Sequence, residues 1–433
     1  MPKVTLIGAG SVEFTRSILA DICSFEELRG QLRIALHDID PERLATAEKV
    51  ARVTSERTGA GAMIEAHVDR GPAFDGADYL VNEIQVGGFD ATLRDFEIPR
   101  KFGVRQTIAD TLGIGGIFRG LRTIPVMVVM ANEMAERCPD GLLLNYTNPM
   151  AMVPWGIYAG SRFGNVVGVC HSVRDTHAFL ARTVGVPQDQ IEFATAGFNH
   201  QAFVLTFRRK ATGEDLYPRL REMVEADPDG LGRRVRAELF KRFGYFPTES
   251  SEHSSEYVPW FLPHEDQIER FRIPVDEYIL RSRENLEEYE RVKAAVEGDG
   301  FPIAPTSELA SEIVHAIETD APRELYVNVR NGDLIDGLSA DACVEVPATV
   351  DAGGVHPRRI GALPSQLLAL HRTFLNVVEL TVSAALEESR DLVYQAALLD
   401  PNTAATLTTE EIVAMCDQLI EAHGALMPAG IRR

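Results

Sequence analysis

Short apolar runs alternate with longer segments of helical spacing over roughly the first 185 residues. Residues 4–7, 32–37, 63–67, 79–84, 142–146 and 166–169 read as strands. Residues 41–57, 117–137 and 175–184 read as helices between them. Strands alternating with helices predict an α/β fold, a doubly wound parallel sheet with helices on both faces. Further along, residues 366–386 and the run 124–131 read as core helix, and the charged stretch 281–293 as a solvated helix with i,i+4 pairs.

The first turn carries chemistry. The strand at 4–7 runs into Gly8-Ala9-Gly10-Ser11, followed by a helix predicted over 17–23. Two glycines let the backbone turn tightly and approach a pyrophosphate, which the helix N-terminus attracts. The third glycine of the GxGxxG pattern would fall at position 13, where Glu13 stands. The second strand ends in His37-Asp38-Ile39-Asp40, and a carboxylate at that tip is where adenosine ribose hydroxyls are held. Asp38 is the better candidate. It lies beyond the usual spacing of ~20 residues from the glycines, which predicts a longer first helix. Together these features predict a Rossmann-like dinucleotide site; the plainer alternative is a tight turn beside a surface aspartate. The acidic residue favours NAD over NADP, and Arg43 nearby keeps NADP open.

Composition narrows the classes. The 433 residues are 45% hydrophobic and 25% charged, long enough for two or three domains at roughly 100–200 residues each. Lys and Arg number 43 against 64 Asp and Glu, a formal charge of −21. That argues against nucleic-acid and anionic-membrane partners. Five widely spaced cysteines without a CxxC pair predict a reducing, cytoplasmic setting. Residues 1–3 lead straight into the first predicted strand, so no secretory leader is expected, and the longest apolar runs fall short of the roughly 20 residues that span a bilayer.

Several later segments exceed what a generic dinucleotide fold needs. They are Gln106-Thr107-Ile108-Ala109-Asp110-Thr111 before the glycine-rich Gly113-Ile114-Gly115-Gly116, then Asn145-Tyr146-Thr147-Asn148-Pro149-Met150 and Gly168-Val169-Cys170-His171-Ser172. Gly197-Phe198-Asn199-His200 and Thr248-Glu249-Ser250-Ser251-Glu252-His253 follow, the latter leading to Glu256-Tyr257-Val258-Pro259-Trp260. In this order they resemble the family-four glycoside hydrolases, NAD- and manganese-dependent glycosidases whose nucleotide domain is related to lactate and malate dehydrogenases. Within the family the chain is most similar to the bacterial α-galactosidases (melibiases). The likeness extends through Asn328-Val329-Arg330-Asn331, Leu334-Ile335-Asp336 and Asp400-Pro401-Asn402-Thr403-Ala404-Ala405 to Ala422-His423-Gly424.

The resemblance implies a division of labour. It assigns residues 1–190 to an NAD-binding domain and 191–433 to a mixed α+β domain for substrate and metal. Cys170 and His200 become manganese ligands, with two adjacent sugar hydroxyls completing the coordination sphere. On residue type alone they read as a buried cysteine and an unrelated histidine. Asn148 stands near cofactor and sugar, and His171 beside the metal or substrate. The implied chemistry departs from the usual two-carboxylate mechanism of glycosidases. NAD removes hydride from C3, the ketone acidifies the C2 proton, elimination expels the C1 substituent, water adds, and hydride returns. Asp110 matches the acid, for which a raised pKa is expected. Tyr257 matches the base, with Glu252, His253 and Glu256 as competitors in the same stretch. A phenol titrating near 10 needs a metal charge nearby for that task. The plainer alternatives are a helix N-cap for Asp110 and a packed aromatic for Tyr257.

The expected substrate is a small-molecule α-galactoside, with α-glucoside, α-galacturonide and α-glucuronide as alternatives. Cys170-His171 argues against 6-phosphosugars. A 2-hydroxyacid dehydrogenase on the same fold is the alternative from another class, and a non-catalytic sugar or NAD sensor a third. Related enzymes form homodimers or homotetramers, and the same is expected here.

Overall fold

A computed structural model describes residues 1–11, 14–298 and 301–433. Glu13, at the place of the missing third glycine, lies outside the described residues. Six parallel strands form the centre: β1 (Lys3–Ile7), β2 (Arg33–His37), β3 (Met63–His67), β4 (Tyr79–Asn82), β5 (Leu142–Asn145) and β6 (Val166–Gly168). Their spatial order is β3-β2-β1-β4-β5-β6, and every neighbouring pair among them is parallel. This is the strand order of a dinucleotide-binding sheet, with its switch point between β1 and β4. β1, β4, β5 and β6 are buried along their whole length, as strands covered on both faces must be. The doubly wound fold expected from the alternating pattern is the fold observed.

Two features depart from the expectation. The first helix, Phe14–Ile22, is short, and the extra spacing before Asp38 is taken up by a 3₁₀ turn at Glu26–Leu28 and the loop after it. The sheet also continues past residue 190. After an antiparallel pair, β7 (Ile191–Ala196) and β8 (Phe203–Arg209), strands β9 (Arg323–Arg330), β10 (Cys343–Asp351) and β11 (Gly354–Pro357) add antiparallel to its β6 edge. The junction is the Gly168–Asn328 pair, so the later half of the chain shares the sheet with the first.

The helix Gly113–Arg137 begins four residues before the predicted start, inside the glycine run. Tertiary packing overrides the weak helix propensity of glycine there. A Cβ on Gly115 would lie 2.6 Å from the Ala109 carbonyl oxygen, so only glycine lets the helix start pack beneath the loop carrying Asp110. This helix is long and apolar enough to cross a membrane, but 78% of its most apolar window is buried in the protein, as in a core helix. The helix Ser365–Glu387 packs against it.

The predicted solvated helix runs from Glu277 to Glu297. It carries an i,i+4 pair, Arg281 with Glu277, but it is not simply a solvated face. Tyr289 and Val292 are buried, and the helix lies against Pro41–Thr58.

Candidate active site

The site forms where the loops at the carboxyl ends of β1, β2, β5 and β6 meet the turn between β7 and β8. At the glycine turn, Gly8 has φ +82° and the Gly10 N–H donates to Asp38 Oδ2 at 2.8 Å. A Cβ on Gly10 would sit 2.6 Å from Arg43 Cβ and 2.7 Å from that carboxylate oxygen. The turn is therefore a cradle that only backbone can fill, with Asp38 just past β2 as expected. Ser11 borders it, and the turn is closed by Ser11 N–H donating to the Gly8 carbonyl at 2.8 Å.

A second cluster surrounds Asp110. Its Oδ2 accepts from Asn148 Nδ2 at 2.9 Å and its Oδ1 from the Thr111 hydroxyl at 2.7 Å. Thr111 has one proton to give, so the 3.1 Å contact with His200 Nδ1 runs from the ring N–H to the Thr111 oxygen. When the ring is neutral, as a metal ligand must be, that contact keeps its proton on Nδ1 and presents Nε2 as the lone pair. Nε2 lies 3.2 Å from Cys170 Sγ and 3.8 Å from Glu249 Oε2. Cys170, His200 and Glu249 each offer a ligand atom, all within 4.8 Å of one another. A neutral imidazole oriented by its other nitrogen, a thiolate and a carboxylate form a donor set that fits a divalent transition metal. Of the five cysteines only Cys170 is partly exposed; burial pushes the Cys23 and Cys138 thiols up to about 12 and 11.

The local backbone is unusual. Ala109, His200 and Glu249 have φ of +55°, +65° and +64°, a region costly for residues with side chains. Each is held from outside. Glu256, buried, accepts from the backbone N–H groups of Thr107, Ile108 and Ala109 at 2.6, 2.9 and 3.0 Å. The Glu249 loop is tied to the His200 loop by Thr248 N–H donating to the Ala202 carbonyl at 2.8 Å.

Charge is concentrated here. Burial opposes ionisation of Asp110, but Arg119, His253 and His200 outweigh it and hold the carboxyl below its ordinary value. This corrects the expectation of a raised pKa. Burial would discharge His200, yet Cys170, Glu249 and Asp110 hold it up at about 10. The three acidic groups thus demand a positive charge among them, which the imidazolium supplies here. Arg119 also donates from Nε to the Asn148 carbonyl at 3.2 Å.

The competitors around Tyr257 separate. Glu256 is committed to its three backbone donors, and Glu252 takes part through its carbonyl, which accepts from the Thr107 hydroxyl at 2.9 Å. Tyr257 is 1% exposed and packs against Phe374, yet its hydroxyl meets His253 Nδ1 at 2.9 Å. Burial, then Glu256 and Asp110, push the phenol well up; burial and His200 push His253 down to about 4. Asp110 is not a helix cap, since the following helix is capped at Leu112. His171 stands a little apart, 2.9 Å from Glu308 Oε2, which also accepts from the Tyr146 hydroxyl at 3.0 Å. Glu249, Thr111, Arg119 and Glu308 escaped the sequence reading. Glu249 and Thr111 had a signal, standing in the quoted Thr248–His253 and Gln106–Thr111 segments.

A dinucleotide-binding sheet with a Cys-His-carboxylate cluster beside its cofactor crevice defines a class of nucleotide- and metal-binding enzyme. Residues 3–186 match the model of family 4 glycosyl hydrolases, and residues 195–403 that of the family 4 glycosyl hydrolase C-terminal domain. An α-galactosidase of Bacillus subtilis is 41% identical over 99% of this chain and 99% of its own. The crystal structure of lplD from Bacillus subtilis superposes with a TM-score of 0.88, covering 97% of this chain and 99% of that one at 25% identity. A 6-phospho-α-glucosidase from gut microorganisms, crystallised with NAD and Mn²⁺, covers 99% of each chain with a TM-score of 0.83 and 20% identity, a likeness of fold. The chain belongs to glycosyl hydrolase family 4, as its dispersed segments led us to expect.

Proposed function

We propose that this chain is an NAD- and manganese-dependent α-galactosidase. The observation that carries the substrate is the 41% identity, end to end, with an α-galactosidase. The glycine cradle and Asp38 support NAD, and the Cys170, His200 and Glu249 donor set supports manganese. When bound, NAD supplies reversible hydride acceptance and manganese supplies Lewis-acid charge.

The chain's own groups do the rest. Gly8, Gly10 and Ser11 hold the pyrophosphate on backbone, and Asp38 holds the ribose hydroxyls. Asn148 fixes Asp110 on one oxygen and Thr111 on the other, which aims the carboxyl. Each oxygen keeps a second lone pair, and a proton that one of them takes from solvent passes to the leaving glycosidic oxygen. Tyr257 takes the C2 proton. Burial pushes its phenol up and His253, 2.9 Å away, is pushed down to about 4, so the phenol would ionise only with the positive charge that a bound metal would supply. His171, steadied by Glu308, contacts the sugar. We place the boundary between the cofactor and substrate parts at residue 190, and the enzyme as a homodimer or homotetramer in the cytoplasm, where Cys170 stays reduced.

A panel of p-nitrophenyl α- and β-glycosides, assayed with NAD, manganese and reductant, tests the reading. The α-galactoside should be cleaved fastest, activity should vanish on removal of either NAD or manganese, and solvent deuterium should enter C2. Hydrolysis with unchanged C2 protons would sink the elimination route. NADH accumulating with a 2-hydroxyacid would replace it with a dehydrogenase.

A further inference from the structure

The helix Glu277–Glu297 is remote in sequence from the cofactor strands, yet it packs on the helix Pro41–Thr58 that follows Asp38 and reaches the glycine turn. In open α/β sheets the ligand crevice lies outside the carboxyl ends of the strands. Beside the glycine turn the ring of Tyr289 lines a small cavity with Gly10, Ser11 and Arg43. The Arg43 guanidinium carbon lies 4.4 Å from the centre of that ring, and Arg43 Nη1 donates to the Gly10 carbonyl at 3.0 Å. The Tyr289 hydroxyl meets Thr46 Oγ1 at 3.3 Å. Between Gly10, Ala47, Val50, Tyr289 and Val292 only about 20 Å³ is left, room for a water and not for a purine.

We propose that this helix is the roof of an adenosine subsite, with Tyr289 as the plane on which the adenine stacks and Arg43 moving off the ring to admit it. The proposal rests on the reading that NAD occupies the glycine turn. A guanidinium face and an aromatic ring are both surfaces on which a base stacks. The latch is weak enough to open. Arg16 pairs with Glu288 at 3.3 Å, Lys49 with Glu297 at 2.9 Å, and Lys293 with Glu42, all at least partly exposed and so each worth little. Together they hold the roof over the crevice without sealing it.

Calorimetric titration of the full-length protein with NAD, AMP and nicotinamide mononucleotide tests this without any turnover. Tyr289→Ala should weaken NAD and AMP about ten-fold and leave the mononucleotide within two-fold, the size expected for one lost stacking contact. Tyr289→Phe should bind all three nearly as the parent does. The double variant Glu288→Gln with Glu297→Gln should release NAD several-fold faster, and added salt should do the same to the parent. NAD bound within two-fold by Tyr289→Ala, or a release rate unmoved by the double variant, overturns the roof. If the parent binds none of the three ligands, the cofactor reading itself fails, and the roof with it.

Discussion

Replacing Glu256 probes how the Asp110 loop is held. Its Oε1 accepts three backbone donors, and alanine would leave all three buried and unpaired. At about 1–3 kcal/mol for each stranded donor the gross loss is roughly 3–9 kcal/mol, and relaxation with water entry brings the expected value to ~3–5 kcal/mol. Glutamine keeps a carbonyl oxygen in the same place. Burial pushes the Glu256 acid up from its ordinary 4.5 to about 8, with the backbone donors pulling only part of the way back. At neutral pH the folded protein therefore holds the side chain largely protonated, and glutamine copies that state. The unfolded chain ionises near 4.5, so the favourable difference is complete below that and is lost as pH rises through about 8. Ionising the group in place costs roughly 4–5 kcal/mol at about 1.4 kcal/mol per pH unit. Urea denaturation between about pH 5 and about pH 8.5 should show the parent losing stability on the alkaline side, Glu256→Gln with a flatter profile, and Glu256→Ala weakened throughout. Hydrolysis should fall about a hundred-fold in the alanine variant, where Asp110 is no longer aimed, and only a few-fold in the glutamine variant. An alanine variant as stable and active as the parent, or identical pH profiles for parent and glutamine variant, would refute the brace.

Gly10→Ala should cut NAD affinity at least ten-fold and lower Tm, because the new Cβ meets Arg43 Cβ and Asp38 Oδ2 inside contact distance; overpacking of this kind costs about 1–3 kcal/mol. Asp110→Asn should lower kcat by about 10²–10⁴ on a galactoside with a poor leaving group and far less on an activated aryl galactoside, in a comparison of the two substrates. Cys170→Ser should weaken manganese binding, read by electron paramagnetic resonance of free Mn²⁺, while NAD binding stays within two-fold; unchanged manganese affinity would remove Cys170 from the ligand set.

The parallel strands were legible because burial on both faces leaves continuous apolar runs, and β1, β4, β5 and β6 show that signature. The candidate residues were legible as motifs, and Asp110, Asn148, Cys170, His200, His253 and Tyr257 do come together in one cluster or on its border. What stayed hidden depends on distance along the chain. Strands β9–β11 join the sheet through β9, which pairs with β6 across some 160 residues, a contact that no local pattern encodes. Tyr289 falls inside the stretch 281–293 that reads as a solvated helix, because its partners Arg43 and Thr46 lie about 245 residues upstream. Glu256 is the sharpest case. Beside Tyr257 in sequence it competed for the role of base, whereas its donors at Thr107, Ile108 and Ala109 lie 147 to 149 residues away. A carboxylate that serves a distant backbone and one that serves a substrate are the same letter in the same segment. They part only when the fold shows which lone pairs are already taken.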